Sequence, residues 1–527
     1  MSDPTLAPRP ALAPRPAPAA LALAAPALGC TPGAGDGSAT GSATASTSTG
    51  TDTAGTTGTT AATETTADTT TGGPAVECLV GLDEAPLPRP WDPGQPEIAG
   101  CQVRGVRDYR AIVHLHSPHS HDACDGDPQP GGVLDEACLA DLRAALCTTR
   151  IDVAFLTDHP SFATDATLAE MVLTRGADEP VVDPKGRTVG NWLACEGEAA
   201  GHRVLIIPGI ESGAMMPLGI AEHAPAGTYD TSSPATFQAI REVGGLAWVA
   251  HTESRQVDEL APLGLDGLEF YQLHANLDPD IREEFLGLDP AGFLTDSIPF
   301  FFPSMGEGAE PDLAPLGFLV PNEPSITAFE ALGQGQRLTI SAGTDAHQNV
   351  LPNLAPDGER VDSYRRMIRW FNNRLRIDGP LTVESAKAAL AAGRSHIVFE
   401  SFGTPQGFDL HARVGDVITE MGAEVDLSAG LELVATLPTL DPRSPRAEIA
   451  PTLRGVVIRA TADTREVIAE WSEGEKVLAL PGPGVYRVEV WITPRHLAPY
   501  LGDYQEPYIS REVPWIYSGA LFVRPGA

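Results

Sequence analysis

The sequence predicts an α/β fold: a barrel of parallel strands that alternate with helices, followed by a small antiparallel β domain. Three observations support this prediction. Between residues 108 and 400, short apolar segments rich in β-branched residues are separated by stretches of helical length, as expected of parallel strands joined by helices. Ligand-type residues stand at the ends of these segments. After residue 400 the pattern changes to short strands of alternating polarity between Gly/Pro turns.

The N-terminal residues have the layout of an exported, lipid-anchored protein. Arg9 and Arg15 precede an Ala/Leu-rich run that ends at Cys30, and this order is typical of an export signal. Residues 27–30, Ala-Leu-Gly-Cys, resemble the lipobox of bacterial lipoproteins, whose cysteine is lipidated. We therefore expect residues 1–30 to be a signal peptide, with Cys30 anchoring the protein to a bacterial membrane, at the outer membrane or cell surface. A disordered Pro/Ala tail is the alternative.

A low-complexity segment follows the signal-like residues. Residues 31–75 are almost entirely Thr, Ala, Gly and Ser, and so little apolar surface cannot offset the entropy of ordering. They are therefore predicted to form a disordered tether. Residues 76–107 are a leader segment before the first predicted strand. No later apolar run approaches the length of a membrane span, so the lipid is the only predicted membrane contact.

The charge of the chain limits its partners. The 527 residues carry a formal net charge of −35 at pH 7, which argues against nucleic acid or an anionic membrane surface as an electrostatic partner. An anionic substrate would need a local positive site, such as bound metal ions, against this field. The sequence gives no indication of the oligomeric state.

The cysteines predict disulfides. Of the seven cysteines, six remain when Cys30 is set aside, and an even number in an exported chain fits disulfide pairing. None has Cys-x-x-Cys spacing, which argues against a thiolate zinc site. We expect Cys78 to pair with Cys101, joining the two ends of the leader segment. Buried free thiols are the alternative.

The strongest chemical signal follows the first predicted strand. The segment Arg110–His116 is apolar at its centre and ends in His114 and His116. Alternate residues of an extended chain point the same way, so these two imidazoles are a ready pair of metal ligands. His121 and Asp122 follow closely. Taken alone, this stretch could equally be a solvated histidine-rich loop without a metal.

The later strands end in side chains of the same kind. They are predicted at Asp152–His159, Arg203–Ser212, Leu246–Glu253, Gly267–His274, Arg337–His347 and Ser395–Glu400. Their strand-end residues include Asp158, His159, Glu211, His251, Asp345 and His347. In a parallel barrel the C-terminal strand ends meet around one mouth, so these groups would converge with the first histidine pair. The joint pattern predicts a polynuclear metal site.

These strand ends resemble the motifs of the PHP (polymerase and histidinol phosphatase) family. The motifs are His114-Leu-His116-Ser117, Thr157-Asp158-His159, Pro208-Gly-Ile-Glu211, Ala250-His251 and Gly343-Thr-Asp345-Ala-His347, in that order. The resemblance covers residues 108–400 and implies a distorted (β/α)7 barrel with two or three Zn, Mn or Fe ions at the strand ends. The ligands that it implies are His114, His116, His159, Glu211, His251, Asp345 and His347.

Several positions around this site stay open. Either His121 or Asp122 would fill the position after the first histidine pair. His223 could replace a histidine that many family members carry shortly after the glutamate. Arg255 is the cation best placed to meet an anionic substrate, and a surface salt bridge is the alternative. Residues 277–335 form a Pro-rich insertion that is either a lid over the site or a packing insertion.

Residues 401–527 are predicted to form a small antiparallel β-sandwich. Segments such as Val485–Thr493 alternate in polarity, and Pro481-Gly-Pro-Gly484 is a strong turn signal. This part has no ligand cluster of its own, so we expect it to pack on the barrel or to bind a partner. Its tail, Pro514 to Val523, together with Ala391-Ala-Gly-Arg394, resembles the CehA/McbA-like branch of the PHP superfamily, which includes carbamate ester hydrolases.

The site and the resemblance together predict a metal-dependent hydrolase. Metal ions activate a bound water and polarise the substrate, so no protein nucleophile is required, and no Gly-x-Ser-x-Gly elbow or Walker loop stands near a strand end. We expect a phosphoesterase that uses a metal-bridged hydroxide on a small anionic ester. Its predicted catalytic residues are Asp345, His347, His251 and Arg255. The alternatives are a carbamate or carboxyl ester hydrolase and a non-catalytic surface binding protein with a metal-stabilised scaffold.

Overall fold

The structure, a computed structural model, describes residues 70–71, 86–98, 102–304 and 306–526. The predicted signal peptide, the Cys30 anchor and the predicted pair Cys78 and Cys101 lie outside these residues, as does nearly all of the predicted tether. Within the described ranges, no helix combines the length and the apolar character needed to cross a membrane.

The region up to residue 400 contains the predicted alternation of strands and helices. Its strands are β1 (Thr70–Thr71), β2 (Gln102–Val103), β3 (Val106–Ile112), β4 (Val153–Leu156), β5 (Glu179–Val182), β6 (Thr188–Ala194), β7 (Arg203–Pro208), β8 (Trp248–Val249), β9 (Gly267–Gln272), β10 (Thr339–Gly343), β11 (Asn372–Ile377) and β12 (Ser395–Val398). Its helices are α1 (Glu136–Thr148), α2 (Pro160–Ala163), α3 (Leu168–Met171), α4 (Pro234–Glu242), α5 (Val257–Leu260), α6 (His274–Leu277), α7 (Pro279–Glu284), α8 (Gly292–Phe301), α9 (Pro315–Phe318), α10 (Glu323–Leu332), α11 (Tyr364–Trp370) and α12 (Val383–Ala391). Each predicted strand has an observed counterpart.

The helices that follow strands begin at residues suited to cap them. Ser233 precedes α4, its side chain accepts the backbone N–H of Thr236, and Pro234 occupies the first turn. Thr382 caps α12 in the same way by accepting the N–H of Ser385. Such a cap satisfies a backbone donor that the helix itself leaves free, and is worth about 1 kcal/mol.

The parallel strands lie in two sheets. In the larger, β3, β4 and β7 are parallel neighbours, and β8, β9 and β10 form a separate parallel sheet. Isolated bridges connect the two sheets: Leu115 pairs with Ala346, and Leu218 pairs with both Gly209 and Leu246. The structure is therefore a mixed α/β architecture, and a closed (β/α)7 barrel is not confirmed.

The departure from an all-parallel arrangement occurs at β11 and β12. β11 runs antiparallel between β3 and β12. The chain reaches β11 from β10 through α11, with the single residue Phe371 between α11 and β11. β12, the last predicted barrel strand, lies between β11 and a C-terminal strand, both antiparallel to it.

Both faces of the parallel strands are buried. Val153 and Phe155 of β4 belong to one apolar cluster, whereas the alternating residues Ala154 and Leu156 belong to another. The first cluster also contains Trp248 of β8, so it fills the space between the two parallel sheets. Strands covered on both faces are expected to be apolar throughout, which explains why these segments read as continuous apolar runs.

The C-terminal part is mainly antiparallel β structure, as predicted, with a parallel pairing of residues 424–426 with residues 522–524. Its elements are β13 (Pro405–Gln406), β14 (Asp409–Val414), β15 (Val417–Glu420), β16 (Glu424–Asp426), β17 (Leu431–Thr436), β18 (Thr439–Leu440), β19 (Thr452–Ala460), β20 (Arg465–Trp471), β21 (Glu475–Ala479), β22 (Gly484–Thr493), α13 (Gln505–Tyr508) and β23 (Val513–Arg524). β23 pairs with β12, so the large sheet continues across the predicted boundary at residue 401 in the order β12-β23-β22-β19-β20. A second sheet has the order β1-β15-β14-β17-β21.

The insertion at 277–335 is helical rather than an open loop. It contains α7 to α10, and its side chains Phe300 of α8 and Phe329 of α10 are fully buried in the larger apolar cluster. This burial supports the packing role over a mobile lid.

Two disulfides lie within the described residues. Cys124 is bonded to Cys138 in α1, and Cys147 of the same helix is bonded to Cys195. Disulfides are therefore present as predicted, in pairs that the sequence alone did not identify.

Candidate metal centre

Imidazoles and carboxylates from the ends of both parallel sheets converge on one place. The seven ligands implied by the resemblance all belong to it: His114 and His116 after β3, His159 after β4, Glu211 after β7, His251 after β8, and Asp345 and His347 after β10. The ligand atoms fall into overlapping groups whose members lie within 4.8 Å of one another. The groups are His116–His159–His347, His114–Glu211–His251, His114–His116–Asp345 and His251–His274–Asp345.

Asp345 stands between two sets of imidazoles. Its Oδ1 lies 3.2 Å from Nε2 of His114 and 3.1 Å from Nε2 of His116. Its Oδ2 faces the other way, 3.7 Å from Nε2 of His251 and 3.4 Å from Nδ1 of His274. A carboxylate with its two oxygens directed at different ligand sets can bridge two metal ions.

A second carboxylate, Asp122, faces the remaining histidines. Its Oδ2 lies 3.4 Å from Nε2 of His159 and 3.3 Å from Nε2 of His347. Nε2 of His347 is buried without a hydrogen-bond partner, which leaves its lone pair open to a cation. The rings of His116 and His347 are stacked with their centroids 3.7 Å apart.

The structure separates the residues that the sequence left as alternatives. The side chain of His121 is 51% exposed, with Nδ1 4.0 Å from Oδ1 of Asp122. Neither residue is in the ligand groups, but Asp122 faces His159 and His347. Asp122 therefore fills the position after the first histidine pair better than His121 does. His223 donates from Nε2 to the carbonyl oxygen of Ala166 and is likewise outside the ligand groups.

His274 is a site residue that the sequence reasoning missed. It begins α6, directly after β9, and its Nε2 lies 3.6 Å from Oδ2 of Asp278. The signal was present in the sequence, because the predicted strand Gly267–His274 ends in a histidine, as the next predicted strand Arg337–His347 does. His274 supplies the β9 strand end with a ligand that the prediction did not assign.

Buried side chains behind the cluster fix the orientation of the first histidine pair. Nδ1 of His114 donates to Oε1 of Glu269 at 2.7 Å, and Nδ1 of His116 lies 3.0 Å from Oγ of Ser120, which in turn donates to Asp122. Both rings therefore present Nε2 to the centre. Such outer partners set the tautomer and raise the basicity of metal-binding histidines.

The carboxylates of the cluster stay ionised despite their burial. Burial favours the neutral acid, but His159 and His251 lower the pKa of Glu211 to about 2. Burial opposes ionisation of Asp345 as well, and His114 and His347 hold its pKa well below its usual value. Burial likewise opposes protonation of His159, but Asp122 and Glu211 raise its pKa to about 11. The charges match a site where a cation displaces protons shared between imidazoles and carboxylates.

Arg255 lies beside this cluster and not within it. Its Nη1 donates to the carbonyl oxygen of Gly213 at 3.1 Å and its Nη2 to Oγ of Ser232 at 2.8 Å. No ion pair of Arg255 with a carboxylate is found in the part of the chain that the structure describes, so the surface salt bridge, which was the alternative role for Arg255, is not observed.

The donor set has a clear chemical preference. Imidazole nitrogens together with carboxylate oxygens, and no thiolates, suit Zn, Mn or Fe. The buried open nitrogen of His347 and the paired oxygens of Asp345 fit such ions.

No protein-family model, curated protein or solved structure matches this chain.

Proposed function

We propose that this chain is a metal-dependent hydrolase of the PHP type that holds two or three divalent transition metal ions at the strand ends and requires no protein nucleophile. The observation that carries the proposal is the position of Asp345, whose two oxygens face different imidazole sets. Nε2 of His347 is buried in this cluster without a hydrogen-bond partner, and leaving such a polar atom unpaired is costly. A distorted barrel, completed through the isolated bridges at Leu115 and Leu218, is part of the same proposal.

Two of the ligand groups have no residue in common and so suit separate ions. His116, His159, His347 and Asp122 would hold one ion, and His114, Glu211 and His251 another. Asp345 would bridge them, and His274 would complete the side that Asp345 shares with His251. When bound, such ions supply an activated water and polarise an ester oxygen.

One face of the cluster is open to a substrate. The side chains of His114 and His116 have no exposed surface, whereas His251 and His274 are 27% and 33% exposed. The first pair therefore forms the floor of the site, and the second lies at its mouth. A small ester would reach the ions from the side of His251 and His274.

A phosphoester is the substrate class that Arg255 favours. The charge of its guanidinium is not neutralised by its hydrogen bonds to Gly213 and Ser232. It also lines a cavity of about 570 Å³ together with Glu253, which lies 3.7 Å from His251. An anion entering there would meet a cation in a protein that is otherwise strongly acidic. Carbamate or carboxyl esters are the second candidate class, since ester polarisation by metal ions needs no anion-binding residue.

We also propose that the protein is exported and lipid-anchored through Cys30. The disulfides Cys124–Cys138 and Cys147–Cys195 support this location, because disulfides persist mainly in oxidising compartments. Replacing Cys30 by Ser should release the protein from membranes in a bacterial host. Unchanged membrane association of that variant would contradict the anchor.

A hydrolase screen tests the proposed activity. Purified protein loaded with Zn, Mn or Fe is assayed with aryl phosphate monoesters and diesters and with neutral aryl esters and carbamates. We expect phosphoester turnover that a chelator abolishes and added metal restores. The Asp345→Ala variant should be inactive, and full activity of this variant on either class would contradict the metal-based mechanism.

A further inference from the structure

The loop that carries Asp122 is attached to the loop that carries His347. The backbone N–H of Cys124 donates to the carbonyl oxygen of His347 at 3.0 Å, and that of Asp125 to Gln348 at 3.0 Å. The side chain of Asn349 donates to the carbonyl oxygen of Asp122 at 2.8 Å. These hydrogen bonds therefore fix the position of Asp122 relative to that of His347.

A covalent bond holds the same loop from behind. The disulfide from Cys124 reaches Cys138 in α1, and Sγ of Cys138 lies 4.0 Å from the hydroxyl of Tyr364 in α11. That hydroxyl donates to the carbonyl oxygen of His347 at 3.2 Å. The carbonyl of His347 therefore accepts from two groups, Cys124 and Tyr364, that meet at the disulfide.

The backbone of these loops needs such support. Cys124, Asp125 and Gln348 have φ angles of 56°, 59° and 56°, in the left-handed region that residues other than glycine rarely adopt. A conformation of this kind persists where the surroundings impose it, and such places cluster at functional sites. Here the disulfide and the paired loops impose it directly beside Asp122 and His347.

We propose that the Cys124–Cys138 disulfide and Tyr364 are a positioning element for the metal ligands Asp122 and His347. The inference rests on the metal centre of the proposed function. Without the disulfide, the loop from Ser117 to Gly126 can relax from its left-handed conformation, and Asp122 moves relative to His347. The ion held by His116, His159 and His347 is then bound more weakly.

The second disulfide supplies a matched control. Cys147 lies in the same helix, α1, as Cys138, and Cys195 follows β6. Among the described residues, neither Cys147 nor Cys195 hydrogen-bonds to a ligand of the centre. Removing the Cys147–Cys195 disulfide should therefore destabilise the fold without changing the ligand geometry.

The test compares metal retention in the two double variants, Cys124→Ala/Cys138→Ala and Cys147→Ala/Cys195→Ala, in the full chain. Metal equivalents are measured by elemental analysis over a series of chelator concentrations, and Tm is recorded in parallel. Losing an outer partner of a metal site typically costs about 10- to 100-fold in affinity. In the first variant, we expect the most weakly bound ion to be half removed at a chelator concentration about 10-fold lower than in wild type. The control should match wild type.

A milder pair of variants applies if the first double variant fails to fold. Tyr364→Phe removes only the hydroxyl that donates to His347, and Tyr486→Phe removes a buried hydroxyl that donates to Gly482 in the C-terminal sheet. Tyr364→Phe should lower metal retention, and Tyr486→Phe should not. The positioning role would be overturned if each variant retained as much metal as its control while wild type carried its full metal content. That result would leave the proposed function intact. Wild-type protein that binds no metal would overturn the centre itself.

Discussion

Nδ1 of His274 lies 3.4 Å from Oδ2 of Asp345, on the opposite side of that carboxylate from His114 and His116. This contact brings the end of β9 into the ligand cluster. Each of the six parallel strands β3, β4, β7, β8, β9 and β10 then contributes at least one donor from the residues that follow it. The cluster is therefore a property of the whole set of strand ends and not of one histidine-rich loop.

The first prediction concerns His274. Losing an outer partner of a metal site costs roughly 10- to 100-fold in metal affinity. Replacing His274 by Ala should cost at least as much, because it removes a direct donor. Elemental analysis over a chelator series measures the effect. His223→Ala is the control, since His223 is bound to the Ala166 carbonyl outside the ligand groups. Identical metal retention in both variants would exclude His274 from the centre.

The second prediction concerns Arg255 and the substrate class. If its guanidinium meets a developing anion, Arg255→Ala should lower kcat/KM for phosphoesters by about 100-fold or more. Turnover of neutral esters should stay near the wild-type value, because they present no comparable charge. Arg241→Ala, on α4, is the control for losing a partly exposed arginine. An equal fall in kcat/KM for both substrate classes would show that Arg255 supports the fold and does not bind the anion.

Much of this site could be predicted because its ligands obey simple rules. His114 and His116 share a face by the period of an extended chain, and the other ligands directly follow apolar strands. The choice between His121 and Asp122 could not be made in the same way. It depends on a loop whose path is set by the distant partners Cys138 and His347.

The fold was harder to predict from the sequence where charged side chains are buried. β11 is a central strand, yet it contains Arg374 and Arg376 and so reads as polar. Their charges are paired with Glu400 at 2.8 Å and Asp409 at 2.6 Å, partners that periodicity does not reveal. The pairing of β12 with β23 likewise joins segments far apart in the chain, so the continuation of the large sheet could not be foreseen.

The third prediction is a pH effect away from the metal centre. His496 is fully buried, and its Nε2 donates to the carbonyl oxygen of Phe402 at 2.9 Å. Burial lowers its pKa from 6.5 to about 4. The unfolded chain therefore binds a proton between these values that the folded chain does not, so stability is complete above pH 6.5 and falls as the pH drops toward 4.

The size of this effect is roughly 3 kcal/mol, since each pKa unit corresponds to about 1.4 kcal/mol. Urea unfolding at pH 7 and pH 4 measures it. His496→Gln retains a donor for Phe402 but has no titrating group, so wild type should lose roughly 3 kcal/mol more than this variant between the two pH values. Equal losses in the two proteins would show that His496 does not titrate in this range.

The central claim is that the strand ends of this protein form one polynuclear metal centre. Elemental analysis of the full chain, purified without chelators in the presence of Zn, Mn or Fe and then passed through gel filtration, tests it most directly. We expect at least two equivalents of transition metal per chain, because Asp345 faces two separate ligand sets. One equivalent or less at saturating metal would contradict the account.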